Sequence, residues 1–563
     1  MNKILLSDRK SFFLLLAICI LTVIPFLGLT DFNTKGEPRE AIVATSMVET
    51  NNWILPTDSS GKFAYKPPFF HWCIAAVSEL TGGHVTEFTA RFPSAAASVV
   101  MLIAGFLFFA KRKDSETAFW ATLIAFTSFE VHRAAFACRV DMVLTACIVC
   151  ALFCLFRWTE KACKGIPIVA VILMSLGTLT KGPVAIILPC FVTGVFLLIR
   201  GMGFWRAFFK LFLIALVSLI IPAIWYMAAY QQGGNDFLHL IKEENIDRFT
   251  GKMSYESHYN PWTYNVVTII SGFIPWTLLL LISLFGLHFK RPEGKIAVWF
   301  KMIWTKIKTM NPMRLYSLLA IVLIFVFYCV PKSKRSVYLL PIYPFLAYYI
   351  AEYVTFLFKK RPKVWMAYGH ILGGISLLLF AAFLSVKAGL VPDSIFHGKH
   401  AAENISYLQA LGAIHSPWAW LVVIALPLGS ILWWMKKERN LLWIMILLIF
   451  LSLDSVFQPA ILNAKSDLPI ARRIEKIVPQ GSIDSYVGID MLHFFTINFY
   501  AGNRIRVFND KTASRGYLLI GEKDAETFLP LHEGNFRFML CYESNKRSCD
   551  TKQIVRLYRY ERK

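Results

Sequence analysis

The hydrophobic positions of this chain form long uninterrupted runs separated by short polar breaks. Runs such as 12–30 and 207–229 are close to the roughly 20 residues that cross a bilayer core. With roughly 17 to 25 residues as the criterion, the pattern predicts about thirteen membrane-spanning helices. Their predicted cores are 12–30, 91–110, 117–133, 140–157, 165–180, 183–200, 207–229, 262–288, 315–331, 337–357, 365–386, 417–435 and 441–458.

The connections between these runs predict the orientation of the chain. Alternate connections are short and rich in Lys and Arg, and the positive-inside rule assigns them, with the N-terminus, to the cytoplasm. The first run lacks a small-residue cleavage signal, so we expect it to remain as a span. The outward connections are then 31–90, 134–139, 181–182, 230–261, 332–336 and 387–416, together with the tail after about 459.

The tail has a different composition and predicts a small α/β domain outside the membrane. The expected division is a transmembrane domain over 1–458 and a periplasmic domain over 459–563. Cys541 and Cys549 lie in this tail, where an oxidising compartment would let them pair, although unpaired thiols fit the pattern equally well. The predicted elements are helices at 470–477 and 491–500, and strands at 482–487, 504–508, 517–520, 536–542 and 554–560.

Composition supports the membrane interpretation and narrows the fold class. The chain is 56% hydrophobic and only 17% charged, against roughly 25% charged residues in an ordinary soluble domain. Its net charge of +23 would suggest a nucleic-acid partner in a soluble protein, but here the basic residues follow the predicted topology. We therefore expect an all-α polytopic membrane bundle with a small C-terminal α/β extracytoplasmic domain, and no nucleic-acid partner.

Cations in the outward connections run against the positive-inside rule and need another explanation. A bundle that brings them to one outward cavity would suit a phosphate group. Alternatively, each cation anchors the end of its span or contacts lipid headgroups. The set comprises Arg39, Lys66, Arg139, Lys181, Arg248, Lys332, Lys334 and Arg335.

Two carboxylates are candidate proton acceptors. Pro38 at a first helical position predicts a helix start, which places Glu37 where the helix dipole keeps a carboxylate ionised. A capping role is the alternative for Glu37. Asp141 lies at the outer start of a span, where an ionisable residue either faces a cavity or pairs with Arg139.

The nine cysteines before the tail lie mostly within or beside the predicted spans and show no metal-ligand spacing. His258 is a weak candidate ligand, because a lone histidine is more often structural. No cofactor is therefore predicted, and the sequence does not decide whether the protein binds a divalent metal. No P-loop or Rossmann fingerprint is present, so no nucleotide-sugar site is required.

These residues resemble one family: the C-type (GT-C) polytopic glycosyltransferases that use polyprenyl-phosphate sugars, specifically the superfamily of aminoarabinose (lipid A) transferases and protein O-mannosyltransferases. The resemblance covers most of the membrane region, and the layout of thirteen spans plus an outward domain is similar too. It is carried by Glu37-Pro38-Arg39-Glu40, 53–56, 65–68, 91–93, Asp141, Lys181-Gly182-Pro183, 244–249 and 333–341.

The sequence departs from the family pattern at two positions. The first loop of the family usually reads Asp-Glu, whereas this chain has Gly36-Glu37. The glutamate that often precedes the Lys-Pro motif is Tyr65 here. The first departure puts the assignment of the base in question, and the second weakens any metal role and the transfer of sugar specificity.

The resemblance implies inverting transfer of a sugar from undecaprenyl phosphate to a hydroxyl or phosphate acceptor, such as lipid A, on the periplasmic face of the bacterial inner membrane. Glu37 is then the expected general base for a hydroxyl acceptor, with Asp141 as an orienting or alternative base. An acceptor phosphate would need positioning more than deprotonation. The expected contacts to lipid phosphate or acceptor are Arg39, Lys66, Lys181, Arg248, Lys332, Lys334 and Tyr338, of which Lys66, Arg248 and Lys334 would stabilise the leaving phosphate.

Other functions fit parts of the sequence. A protein O-glycosyltransferase of the same superfamily would differ only in its acceptor. A lipid-linked sugar flippase or transporter would be expected to show inverted repeats and broken spans near the midplane, whereas the charged motifs here lie in external loops. A structural assembly subunit explains the tail but not the external cations.

Overall fold

The structure, a computed structural model, describes residues 2–58, 61–64, 66–243, 259–285, 296–398, 400–489, 493–511 and 514–563. A large helical bundle is followed by a small domain built on one sheet. The helices up to residue 242 are α1 Asn2–Leu21, α2 Gly36–Thr50, α3 Phe69–Leu80, α4 Glu87–Ala110, α5 Ser115–Phe126, α6 Phe129–Ala135, α7 Val140–Glu160, α8 Ile168–Lys181, α9 Val184–Ile199, α10 Phe204–Ser218 and α11 Ile220–Lys242.

The remaining helices of the bundle continue this apolar pattern. Short helical turns occupy Ile24–Phe26, Ser336–Ile342, Asp393–Ile395 and Leu453–Phe457. The longer helices are α12 Thr263–Gly272, α13 Trp276–Leu284, α14 Ile296–Thr309, α15 Pro312–Cys329, α16 Tyr343–Lys360, α17 Pro362–Lys387, α18 Ala401–Gly412, α19 Pro417–Lys436, α20 Arg439–Ser452 and α21 Gln458–Lys465.

The number of spans differs from the prediction. Within the described ranges, 8 helical segments are long and apolar enough to cross a membrane, or up to 10 if each of two bent pairs forms one span. The predicted count of about thirteen is therefore not confirmed. The predicted span 117–133 is divided into α5 and α6, because the hydroxyls of Thr127 and Ser128 bond back to the carbonyls of Leu123 and Ile124 and the helix turns there.

Two other predicted spans are bent. The run 207–229 falls on α10 and α11, which meet at 41°. The run 262–288 falls on α12 and α13, which meet at 103°. Pro275 lies between α12 and α13, and a proline cannot supply the backbone N–H that would continue the helix.

Helix α7 forms the centre of the bundle and carries Asp141 in its first turn. Nearly its whole length is buried, and it packs against α4, α8 and α9. The approach of α8 depends on Gly177, because a Cβ there would lie 2.7 Å from the Cβ of Ala185 and 3.1 Å from that of Cys147. One turn beyond Gly177, Lys181 ends α8 next to Asp141.

The C-terminal domain is a five-stranded mixed sheet with the strand order β2-β1-β3-β5-β4. Strand β1 pairs in parallel with β2 and β3, and β5 pairs antiparallel with β3 and β4. Ile470 and Ile474 pack with Leu519, Val555 and Leu557 in its core. Its elements are α22 Leu468–Ile477, β1 Ile483–Tyr486, α23 Phe495–Tyr500, β2 Ile505–Val507, β3 Arg515–Gly521, α24 Glu522–His532, β4 Phe536–Arg547 and β5 Ile554–Arg562.

Most elements predicted for the tail are present, with two differences. Helix α24 was not predicted, because its charged start, Glu522-Lys523-Asp524, is also typical of a turn between strands. The predicted helix 491–500 begins only at Phe495 in the structure, and residues 491 and 492 lie outside the described ranges. Cys541 is exposed and Cys549 is buried, and both are free thiols.

The C-terminal domain directly contacts the segment 31–90, which follows the first predicted span. The Tyr500 hydroxyl donates to Glu87 Oε1 at 2.6 Å and accepts from the backbone N–H of Phe32 at 2.8 Å. Asn463, near the end of α21, accepts from the backbone N–H of Asp31 at 2.8 Å. These contacts hold the segment that leads into α2, so the domain helps to place the candidate site.

Candidate active site

Glu37 lies in the first turn of α2 and is only 8% exposed. Arg91 donates to its carboxylate from Nε at 2.9 Å and from Nη2 at 3.2 Å, and the backbone N–H of Cys138 donates at 2.9 Å. Burial alone raises the pKa of Glu37, but the charge and hydrogen bonds of Arg91 outweigh burial and the pKa lies below its ordinary value. The carboxylate is thus ionised, and both of its oxygens accept hydrogen bonds.

Arg91 links Glu37 to the preceding loop. Its Nη1 donates to the carbonyl of Leu27 at 2.9 Å and to the carbonyl and hydroxyl of Thr30 at 2.5 and 2.8 Å. Its guanidinium also lies 5.2 Å from the centre of the Phe32 ring. Because Arg91 is only 2% exposed, this network holds the loop against α4 and leaves Arg91 little access to a ligand.

Gly36 and Arg139 share a space beside Glu37. A Cβ at Gly36 would lie 2.2 Å from Nη2 of Arg139, so the arginine occupies the place of a side chain at position 36. The charge of Arg139 also lowers the pKa of Glu37, although less than Arg91 does. The departure from the family's Asp-Glu pattern therefore coincides with a guanidinium at this position.

A second buried carboxylate, Glu40, lies one turn further along α2. Its Oε1 contacts Nζ of Lys66 in a short ion pair, and its Oε2 lies 2.9 Å from Nε2 of His71. Nη2 of Arg39 is 3.8 Å from the same carboxylate. Burial opposes ionisation, yet the charge of Lys66 and the bond to His71 hold the pKa of Glu40 well below its ordinary value. Glu40 therefore fixes the position of Lys66.

Asp141 and Lys181 form the third ion pair of the region. Nζ of Lys181 lies 2.5 Å from Oδ1 of Asp141 and 4.4 Å from the centre of the Tyr338 ring. Lys66 and Arg139 are also close enough to interact electrostatically with Asp141. The second oxygen, Oδ2, accepts no hydrogen bond from any residue that the structure describes. Asp141 is therefore a carboxylate with one unengaged oxygen, surrounded by cations.

Further cations converge near the start of α2. Burial lowers the pKa of Lys35, and the charges of Arg39 and Arg335 lower it further, so side chains from the first loop and from 332–336 meet here. The backbone of 332–336 pairs with Tyr259 and Asn260. Lys334 is buried and donates to the carbonyl of Pro331 at 2.6 Å.

The structure thus brings together most of the predicted site residues. Lys66, Arg139, Lys181 and Tyr338 surround Asp141, and Glu37 and Arg39 lie on the adjoining helix α2. Lys332 is exposed, and Lys334 bonds within its own turn. Arg248 and His258 lie outside the described residues, as does Tyr65.

Sequence reasoning overlooked several residues of this region as individuals. Glu40, His71 and Arg91 lie in or beside motifs that carry the family resemblance, but nothing in their spacing reveals their partners. Arg133 on α6 is a further cation that interacts electrostatically with Asp141. Its direct ion-pair partner is Glu130, with 2.7 Å between Nη2 of Arg133 and Oε1 of Glu130. The helix packing that joins these segments is not visible in the sequence.

One group outside this region has metal-binding residue types. Ligand atoms of Asp467, Cys549 and Asp550 lie within 4.8 Å of one another. The carboxylate oxygens already accept hydrogen bonds: those of Asp467 from Ser548 and the Cys549 backbone, and those of Asp550 from Thr496. Hydrogen bonding within the domain core therefore accounts for the group.

Comparison with known proteins found a matching family and several similar chains. The family described as dolichyl-phosphate-mannose-protein mannosyltransferase matches residues 65–226, a range that contains Lys66, Arg91, Asp141 and Lys181. Relatives from Shewanella sediminis and Proteus mirabilis, both named undecaprenyl phosphate-alpha-4-amino-4-deoxy-L-arabinose arabinosyl transferase, are each 26% identical to the chain. Each alignment covers 72% of this chain, and they cover 70% and 67% of the respective relatives.

The fold is shared with a solved structure. The crystal structure of ArnT from Cupriavidus metallidurans bound to undecaprenyl phosphate has a TM-score of 0.69 at 18% identity, and the match covers 97% of both chains. Together, the family match, the named relatives and this fold support a C-type glycosyltransferase of the ArnT and protein mannosyltransferase superfamily. Its C-type glycosyltransferase fold therefore includes the C-terminal sheet domain as well as the helical bundle, because the match extends over almost the whole length.

Proposed function

We propose that this glycosyltransferase moves a sugar from a polyprenyl (undecaprenyl) phosphate to lipid A or a related envelope acceptor on the periplasmic face of the bacterial inner membrane. The main support for this proposal is that Lys66 and Lys181 flank Asp141 where α7 begins and α8 ends. Support for the donor comes from relatives named for undecaprenyl phosphate-linked aminoarabinose and from the ArnT fold that was crystallised with undecaprenyl phosphate.

The leaving group explains the need for cations. When the bond between sugar and phosphate breaks, the polyprenyl phosphate gains negative charge, and preorganised cations stabilise that charge in the transition state. Lys66 is held by Glu40 and lies before Pro67 and Pro68, which stiffen its turn. Lys181 is held by Asp141. We assign both lysines to the leaving phosphate, and keep Arg248 and Lys334 as further proposed contacts.

Asp141 is the better placed of the two candidate bases. Every oxygen of Glu37 already accepts a hydrogen bond from Arg91 or from the backbone of Cys138, so neither oxygen is directed at a substrate hydroxyl. Asp141 keeps one oxygen unengaged. In the proposed reaction, Asp141 accepts the proton of a hydroxyl acceptor while the acceptor oxygen attacks the anomeric carbon and the phosphate leaves, which inverts the configuration.

A phosphate acceptor would not need this base. It is already nucleophilic, and correct positioning would supply much of the rate. Lys35, Arg39 and Arg335 form the neighbouring cationic group that would position it, and Tyr338 lies next to Lys181. The domain after about 459 would then stand over the site from the periplasmic side, holding the first loop through Tyr500.

Mass spectrometry of the cell envelope tests this proposal. Lipid A, surface glycans and envelope proteins are compared between cells with the gene, cells without it, and cells carrying the Asp141→Asn variant. Loss of one sugar-sized mass from lipid A in the last two strains supports the proposal. Loss from proteins instead would make the chain a protein glycosyltransferase, the acceptor that the matching family description favours. An unchanged envelope with a lipid-linked sugar trapped on one leaflet would indicate a flippase.

A further inference from the structure

Helix α22 presents a cationic surface away from the candidate active site. Arg472, Arg473 and Lys476 are exposed and, together with Leu468 and Pro469, line a surface cavity of about 220 Å³. In the described part of the chain, none of these three cations lies within 4.0 Å of a carboxylate oxygen. The cavity therefore combines three cations that form no direct ion pair with the described residues and an apolar margin.

The opposite face of α22 is fixed in the protein. Ile470, Ala471 and Ile474 are buried and belong to the core of the sheet domain. The helix cannot turn this apolar face to a bilayer without unfolding the domain. The cationic face is therefore the one available to a ligand, and it is presented by a rigid element.

Two spans place this surface near the membrane. The last span ends at Lys465, and Ser466 and Asp467 alone separate it from α22, a distance of roughly 10 Å at most. Arg472 is close enough to Asp31 to lower its pKa, which burial and Glu87 raise, and Asp31 follows the end of the first span at Phe26. Arg472 thus lies close to the ends of both spans, within one or two Debye lengths of the headgroups at roughly 8 Å each.

We propose that α22 binds the phosphate of an anionic glycerophospholipid in the leaflet on its own side of the membrane. The orientation of that leaflet rests on the proposed function, but the binding itself does not. Cations beside the outer ends of spans are disfavoured unless they have a role, and the negative charge of one phosphodiester headgroup can interact with all three. Leu468 and Pro469 would contact the glycerol and the first acyl carbons.

Native mass spectrometry of the purified full-length protein in detergent tests this binding. The protein is titrated with phosphatidylglycerol and, separately, with phosphatidylcholine of the same acyl chains. We expect wild type to retain phosphatidylglycerol preferentially. The variant R472Q/R473Q/K476Q should lose about tenfold to a hundredfold in affinity for phosphatidylglycerol. Each cation near an anionic headgroup contributes about 1 kcal/mol of binding free energy, and about 1.4 kcal/mol corresponds to a tenfold change in affinity.

The variant R515Q/R537Q/R559Q is the matched control, because it removes three exposed cations from β3, β4 and β5. It should retain wild-type binding, as should the charge-conserving R472K/R473K. Equal binding by wild type and R472Q/R473Q/K476Q, or equal losses in the two triple glutamine variants, would overturn the proposal. Displacement of phosphatidylglycerol by an equal concentration of lipid A would also overturn it, since the surface would then be an acceptor site. Sugar transfer is measured separately, so a failure of the proposed function leaves this result unaffected.

Discussion

The Glu37 and Asp141 regions both contain a buried carboxylate paired with a cation, yet the pairs differ in what else the cation does. Arg91 gives its other donors to the carbonyls of Leu27 and Thr30. Lys181 has the open face of Tyr338 as its other neighbour. The donors of Arg91 are therefore engaged by Glu37 and the loop. Lys181 has fewer partners, so a phosphate could still approach it.

This difference separates a structural pair from a candidate catalytic pair that burial and charge alone do not distinguish. Glu37 and Asp141 are 8% and 6% exposed. What differs is the number of engaged oxygen atoms and the number of further cations, since Lys66 and Arg139 also face Asp141. Substitutions in each region should therefore change different observables.

The largest effect is expected for Arg91→Ala. Removing one partner of a buried ion pair leaves an uncompensated charge, which costs about 3–5 kcal/mol, and the loop carbonyls would lose their donors as well. We expect a strong fall in the unfolding temperature of the purified protein in detergent, or no folded protein. Lys181→Gln should lower that temperature much less, because Lys66 and Arg139 remain beside Asp141. A near-normal unfolding temperature for Arg91→Ala would show that the Glu37 pair is not structural.

The next largest effect is expected for Asp141→Asn. Loss of a general base typically slows a reaction by about 10²–10⁴-fold, and the isosteric amide keeps the shape of the site. Sugar transfer by purified protein should fall by that factor for a hydroxyl acceptor, with little change in unfolding temperature. Glu37→Gln is the matched control and should reduce stability more than turnover. The reverse pattern would make Glu37 the base, and normal turnover by both variants would indicate a phosphate acceptor.

A smaller effect is expected for Glu40→Gln. The amide removes the charge that holds Lys66 and His71, so we expect donor affinity to fall by about tenfold, or ~1.4 kcal/mol, in a titration with polyprenyl phosphate. Because the pKa of Glu40 lies well below its ordinary value, its ionised form stabilises the fold above about pH 4.5. The stability difference between wild type and Glu40→Gln should therefore stay constant above that pH and shrink as the pH falls below it.

The smallest effect is expected for Asp550, a buried acid without an ion-pair partner among the described residues. Burial, together with the charge of Asp467, raises its pKa to about 7. Such a group stabilises the folded state fully below its unfolded pKa, and this stabilisation is lost as the pH rises through about 7. Asp550→Asn should therefore unfold about 2–4 °C higher than wild type at pH 8 and no higher at pH 4. Equal unfolding temperatures at both pH values would contradict this assignment.

Much of the candidate site was predictable because its residue types are unusual where they occur. Lys66, Asp141 and Lys181 are charged residues beside apolar runs, and charge in that position is costly without a partner or a role. Their partners were not predictable, because Glu40 meets Lys66 across 26 residues and Asp141 meets Lys181 across 40 residues. Such contacts depend on how helices pack, and the pattern of one helix does not specify its neighbour.

The fold, like the candidate site, was predictable only in part. Long apolar runs predicted a membrane bundle, because a helix of about 20 apolar residues crosses the bilayer core with all its backbone groups bonded internally. Alternation in the tail predicted strands β1 to β5. Breaks within runs were less visible: the bend between α12 and α13, and the division of α5 from α6, depend on a proline and on hydroxyl groups whose effect varies with their neighbours.

The sequence by itself determined that this protein lies in a membrane, that a small α/β domain ends it, and which charged residues needed an explanation, because hydropathy and charge act locally along the chain. The tertiary structure decided that both oxygens of Glu37 accept hydrogen bonds, whereas only one oxygen of Asp141 does so among the described residues. It gave Glu37 to Arg91, placed Arg139 in the space beside Gly36, and surrounded Asp141 with lysines. Those assignments depend on distances between segments far apart in sequence, and only packing sets them.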